Sequence, residues 1–197
     1  MRHLIIILTF VFICGCANET MSVKDLYLLE PDLPESIADA PQVPINIGHF
    51  HTADAFDYKN FTYRKAEGVY EIDHYRKFIS PKSSMVENRL TQWLDSSGFN
   101  VQPDNVKSEY IITGIINEFY ANFVNSLKPE AVIELKIFIS TRNADPVSSK
   151  TFRAKKPILE TDEKNAIDSW EQCLEQIFPE AARFISKSVK ARINENQ

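Results

Sequence analysis

The sequence predicts an α+β domain, an antiparallel sheet with two helices packed on one face. Three observations predict it. Residues 131–139 alternate, with Ala131, Ile133, Leu135, Ile137 and Ile139 set against Glu134, Lys136 and Ser140, a two-residue period with one wet face. Two other segments repeat apolar residues every three or four positions: Val86, Leu90, Trp93 and Leu94, then Ile167, Trp170, Leu174, Ile177, Ala181 and Phe184. The order is strands, helix, strands, helix, and two helices with one apolar stripe each can cover one face of a single sheet.

The chain opens on a segment of another kind. Arg2 and His3 are a short positive start, and Leu4 to Ile13 is an apolar run broken only by Thr9. That run is too short for a hydrocarbon core, which needs roughly 20 apolar residues, and has the length of a signal-peptide core. Ile13-Cys14-Gly15-Cys16 follows and resembles a bacterial lipobox. Gly15 supplies the small side chain before the cut, and Cys16 the thiol for a diacylglyceryl thioether. Cys14 stands where Ala or Ser is usual. Residues 1–15 are thus expected to be a cleaved lipoprotein signal peptide, 16–25 a lipidated tether and 26–197 the domain. The alternative is a plain secretory signal cut after Ala17. With Ala17 rather than Asp after the anchor, the expected destination is the periplasmic face of the outer membrane.

Each element of the domain has its own signal. Leu26 to Leu29 is a short apolar patch. Glu30 to Gln42 carries three prolines and four acidic residues without a basic one, which predicts an extended acidic connector. Val43, Ile45 and Ile47 alternate as one strand face. Residues 61–65 and 69–75 flank Ala66-Glu67-Gly68 as a hairpin. Ser80 is placed to cap the first helix, Pro81 to open it and Gly98 to stop it. Residues 110–119 and 131–139 follow as strands, and Asn143-Ala144-Asp145-Pro146 is a turn. Residues 147–156, polar and basic, predict a strand near an edge. The last helix is expected from Asp162 to Arg192, kinked at Pro179.

Chemistry is sparse. Net charge is −5 and the pI about 5.4, against a phosphate-backbone footprint. The five glycines lie apart, which excludes a P-loop or a dinucleotide fingerprint, and no nucleophile elbow is present. No cofactor or metal is expected. Cys14, Cys16 and Cys173 cannot form a Cys-x-x-Cys site, and Cys173 falls on the last helix's apolar stripe, as a buried thiol should. His49 and His51, with Asp54 and Asp57 behind them, are weighed as metal ligands, but a third His or Cys is missing, and a strand end running into a solvated polar loop is expected. His74 beside Asp73 would be a general base only if neighbouring strand residues shared a face, and they do not. The aromatic run from Phe50 to Phe78 is expected in the core rather than along a greasy groove. Arg153, Lys155 and Lys156 are a small basic cluster. Such a cluster usually solvates an edge; it could also face anionic lipid or an acidic partner.

Short motifs then recur in order. Tyr27 and Leu29 follow the anchor, and Tyr63-Arg64 ends a strand. Tyr75 and Phe78 precede a helix that exits through Trp93-Leu94 and Ser97-Gly98-Phe99. Glu109-Tyr110-Ile111 and Ala131-Val132-Ile133 open later strands. Over residues 26–192 the chain resembles the ABC-type transport auxiliary lipoproteins, the paraquat-inducible protein C-like group; Pro179 departs from the pattern. The resemblance implies a non-enzymatic, outer-membrane-anchored partner of an MCE-type ABC lipid transporter, bound to its periplasmic MCE component. The strand edge around Thr151 to Lys156 is a candidate surface for that partner, and the same edge pairing would also allow a homo-oligomer. Two other readings stand beside it: an outer-membrane assembly lipoprotein of the lipopolysaccharide-assembly or TolB-like kind, and a periplasmic metal-binding hydrolase using His49 and His51.

Overall fold

The structure is a computed structural model that describes residues 25–33, 40–103, 105–159 and 163–195. The signal segment, the lipobox with Cys16 and the middle of the acidic connector lie outside the described residues. Eight strands form one sheet: β1 (Leu26–Tyr27), β2 (Ile45–Thr52), β3 (Asn60–Ala66), β4 (Val69–Phe78), β5 (Val101–Gln102), β6 (Tyr110–Asn122), β7 (Glu130–Thr141) and β8 (Pro146–Pro157). Two helices, α1 (Lys82–Ser96) and α2 (Glu163–Glu195), complete the α+β fold.

The spine of the sheet is the antiparallel meander β6–β7–β8. Along its other edge β6 pairs in parallel with β2 through Tyr110–Ile116 and with β3 at Ala121 and Asn122. β3 and β4 are the expected hairpin, with Gly68 at φ 70°. β1 joins β4 and β5 joins β2, both in parallel. The sheet is therefore mixed, mostly antiparallel with parallel pairs where a helix or loop carries the chain back across it.

Both helices cover one face. Ala131, Ile133, Leu135, Ile137 and Ile139 are buried there against Trp170, Cys173, Leu174, Ile177 and Ala181 of α2. Val86, Leu90, Trp93 and Leu94 of α1 enter the same core, and Trp93 meets Phe178 of α2 edge-on at 6.3 Å between ring centres. Phe61, Phe78 and Phe119 gather around Trp170, whose indole N–H donates to the Tyr120 carbonyl at 3.2 Å. Among the described residues the opposite face carries a small buried cluster of Phe56, Tyr120 and Val132, joined by the ring of Tyr70. Of the aromatic run, Phe50, Phe56, Phe61 and Phe78 are buried, while Tyr58, Tyr70 and Tyr75 remain exposed.

Three local expectations change. No side chain caps α1: Pro81 itself occupies the cap position, ahead of Lys82 rather than inside the helix, so the Ser80 cap is replaced. The strand expected from Val43 starts at Ile45, and Asn46 is buried as well as its apolar neighbours because its amide donates to the Gln102 and Pro103 carbonyls at 2.7 and 2.8 Å. The start of the acidic connector is docked, not free. The Glu30 and Asp32 amides donate to the carboxylates of Glu171 and Glu175, and Arg89 reaches the Leu29 carbonyl at 2.8 Å and Glu30 at 2.6 Å.

The helix ends follow their chemistry. Gly98 at φ 90° closes α1: its N–H bonds the Asp95 carbonyl and the Phe99 N–H the Leu94 carbonyl, a Schellman pair that buries Phe99. α2 runs unbroken through Pro179. Phe178, Ala181 and Ala182 stay buried on either side, so the stripe holds the segment helical despite one missing N–H. Among the described residues no helix is long and apolar enough to cross a membrane.

Candidate functional site

Among the described residues β8 pairs with β7 alone, so its far side is a sheet edge. The register runs from Glu130↔Pro157 to Ile139↔Ser148 without a shift, and the Ile158 N–H donates to the Pro129 carbonyl at 2.9 Å. Bonded and non-bonded pairs alternate in an antiparallel ladder. The backbone groups of Lys150, Phe152, Ala154 and Lys156 thus face β7, and those of Ser149, Thr151, Arg153 and Lys155 face outward. The twelve-residue strand offers a row of free donors and acceptors, bracketed by Pro146 and Pro157.

The basic cluster does not stay together. Side chains alternate across a strand. Arg153 and Lys155 lie on the open face, while Lys156 lies on the helix side with buried Phe152 and Ala154. Arg153 is occupied: it stands beside Glu134, which stands beside Glu118, on three successive strands. Its Nη2 donates to Glu118 at 2.6 Å and its Nε approaches Glu134 at 3.5 Å. Burial lowers the Arg153 pKa, but the two carboxylates outweigh it and hold the guanidinium above its ordinary value. Without Arg153, Glu118 and Glu134 would repel each other. Lys155 sits 3.9 Å from Glu130.

Two residues outside this cluster matter more to the edge. Beside β8, on the helix side, lies a trough between the strand and the C-terminal half of α2. One part, about 360 Å³, is lined by Val147, Ser148, Phe184, Lys187 and Ala191 among others. The other, about 480 Å³, is lined by Lys150, Glu180, Arg183, Phe184 and Lys187. Phe184 forms the shared floor and packs on Phe152 at 5.9 Å. Arg183 and Lys187 carry no signal of their own in the sequence, and the packing of α2 beside β8 brings them to the strand.

The remaining sequence candidates are placed as follows. His49 and His51 are exposed; His49 Nδ1 lies 3.7 Å from Glu87, whose other oxygen accepts the Phe50 N–H at 2.8 Å. Among the described residues no three His, Cys, Asp or Glu side chains are grouped to hold a metal ion. His74 is exposed while Asp73 is buried, each on its own side of β4. Cys173 is fully buried, its thiol 3.6 Å from the Ala131 carbonyl, and burial pushes its pKa up to about 12. A thiol held protonated in this way is a poor nucleophile.

Lys82 gave no signal in the sequence. It is buried at the start of α1, with Nζ donating to the carbonyls of Phe56, Tyr58 and Asn60 and lying over the rings of Phe78 and Phe119 at 5.8 and 5.6 Å. It ties the 3-10 turn at Asp54–Phe56 and the start of β3 to the helix.

No family model matches the sequence, and no curated protein matches it. Solved structures do share the fold. A Xanthomonas campestris protein of the DUF330 family superposes with a TM-score of 0.77 at 19% identity, covering 86% of this chain and 99% of that one. An uncharacterized protein gives 0.63 at 14% identity, over 77% of this chain and 98% of that one. A hypothetical protein from Chlamydia trachomatis gives 0.55 at 9% identity, over 77% and 99%. At these identities the likeness is one of fold, and it spans nearly the whole of each of the three.

Proposed function

We propose that this chain is the outer-membrane-anchored auxiliary lipoprotein of an MCE-type ABC lipid transport system, a non-catalytic subunit that contributes to lipid trafficking and envelope integrity by binding the periplasmic MCE component. The observation that carries the reading is the outer edge of β8, a long strand paired on one side alone among the described residues, on a domain whose buried Cys173 and Asp73 are both tied up in packing. The lipobox at Cys16, the ordered motifs along residues 26–192 and the fold likeness to the DUF330 protein support it.

In this reading the acyl chains on Cys16 hold the domain at the membrane, at about 0.8 kcal/mol per buried CH₂. Strand addition at an exposed edge draws affinity from main-chain hydrogen bonds, so it requires no catalytic pocket. The test is co-purification of the full lipidated chain with the MCE protein encoded beside it. A stable complex is expected. Failure to bind any such protein would overturn the function, and a single acylation assay on Cys16→Ala checks the anchor separately.

A further inference from the structure

Resting on the reading of the domain as a docking subunit, we propose that the trough between β8 and α2 takes an extended acidic segment of the partner protein as a ninth strand. The segment pairs with the outward backbone groups of Ser149, Thr151 and Arg153. Its side chains then alternate, as in any strand. One set turns toward α2, over Phe184 and among Lys150, Arg183 and Lys187.

Charge selects the occupant. Among the described residues no carboxylate forms an ion pair with Lys150, Arg183 or Lys187, although Glu180 lines the same trough. Arg153 and Lys155, by contrast, face the carboxylates of their own sheet. Three cations beside a free strand edge repel a basic strand and a second copy of β8, which carries the same lysines. They attract a strand with carboxylates at alternate positions, all turned toward α2. Main-chain pairing gives affinity and alternate pockets give specificity in this mode of recognition.

The probe is a capped nine-residue peptide of alternating valine and glutamate, with a valine–lysine version as control. Binding to the full chain in detergent is followed by fluorescence anisotropy and by hydrogen exchange. The acidic peptide is expected to bind and slow amide exchange at residues 147–155 by tenfold or more, and the basic peptide is not. Arg183→Glu with Lys187→Glu should weaken binding at least tenfold with the thermal melt retained. Thr151→Pro should abolish it, since that N–H is not used by β7. Equal binding of the basic peptide, protection at another edge or undiminished binding by the double variant would overturn the proposal. Loss of binding to phosphatidylglycerol vesicles in that variant, with no peptide binding by the wild type, would overturn it in favour of a membrane contact. If the peptide binds as expected and the MCE protein does not, the function is overturned and the trough stands. If the MCE protein binds the double variant and Thr151→Pro as it binds the wild type, the trough is overturned and the function stands.

Discussion

The Tyr63 hydroxyl donates a 2.8 Å hydrogen bond to Oδ2 of Asp73 across the β3–β4 hairpin. Asp73 also accepts the Tyr75 and Arg76 amides at 2.7 and 3.0 Å and the Arg76 guanidinium at 3.0 Å. Burial acts to raise the Asp73 pKa, but these four donors outweigh it and hold the carboxyl below its usual value. The same pairing, after burial itself, raises the Tyr63 pKa. One buried carboxylate therefore unites Tyr63-Arg64 at the end of one strand with Tyr75 in the next, two motifs that looked separate in the sequence.

Asp73→Ala leaves two backbone amides and a half-buried hydroxyl without their acceptor. The expected cost is about 3 kcal/mol, and Tyr63→Phe, which removes one donor, should cost about 1 kcal/mol. Because the folded carboxyl is depressed, its contribution is fully present above the unfolded value near 4 and is lost as pH falls through the folded one. Denaturant melts between pH 7 and pH 2 should show wild type and Asp73→Ala converging at the acid end.

Lys82 gives a prediction of the same sign at the alkaline end. Burial pulls its ammonium from 10.5 down to about 8, and Asp57 opposes that shift. Between pH 8 and 10.5 the unfolded chain binds the extra proton, so folding stability attributable to this group rises with pH across that window. Lys82→Met strips the donor from three carbonyls and should cost about 2 kcal/mol at neutral pH. The difference between wild type and variant, measured by chemical denaturation, should widen from pH 8 to 10.5.

Phe50 lies over Gly114, its partner in the β2–β6 ladder. A Cβ at Gly114 would stand 2.5 Å from the Phe50 ring. Gly114→Ala should therefore cost about 1–3 kcal/mol by overpacking. Combining it with Phe50→Leu should cost less than the sum of the two single changes, and a double-mutant cycle by thermal melts measures the coupling.

Much of this fold was legible because its signals are local. The alternation of 131–139 gave β7 and its buried face, and the stripe from Ile167 to Phe184 carried α2 through Pro179. The parallel pairings of β2 and β3 with β6 were not legible, because strand direction depends on partners far along the chain and leaves no mark in a strand's own period. β1 was too short to show one. Lys82 carried no signal, since nothing beside it in sequence announces the carbonyls of Phe56, Tyr58 and Asn60. The edge at 147–156 was visible in its polarity. Arg153, Lys155 and Lys156 looked like one cluster because they lie close in sequence, and Lys156 leaves it because adjacent residues of a strand fall on opposite faces.

The central claim is that the β8 edge receives a partner strand. Its most direct test is site-specific photocrosslinking in cells from a photoreactive residue at Thr151, with Tyr75 on the far hairpin as the control position. Crosslinks from position 151 to the MCE protein, absent from position 75, are the predicted result. Crosslinks from position 151 to another copy of this chain alone, or to the MCE protein from position 75 and not 151, would contradict the claim.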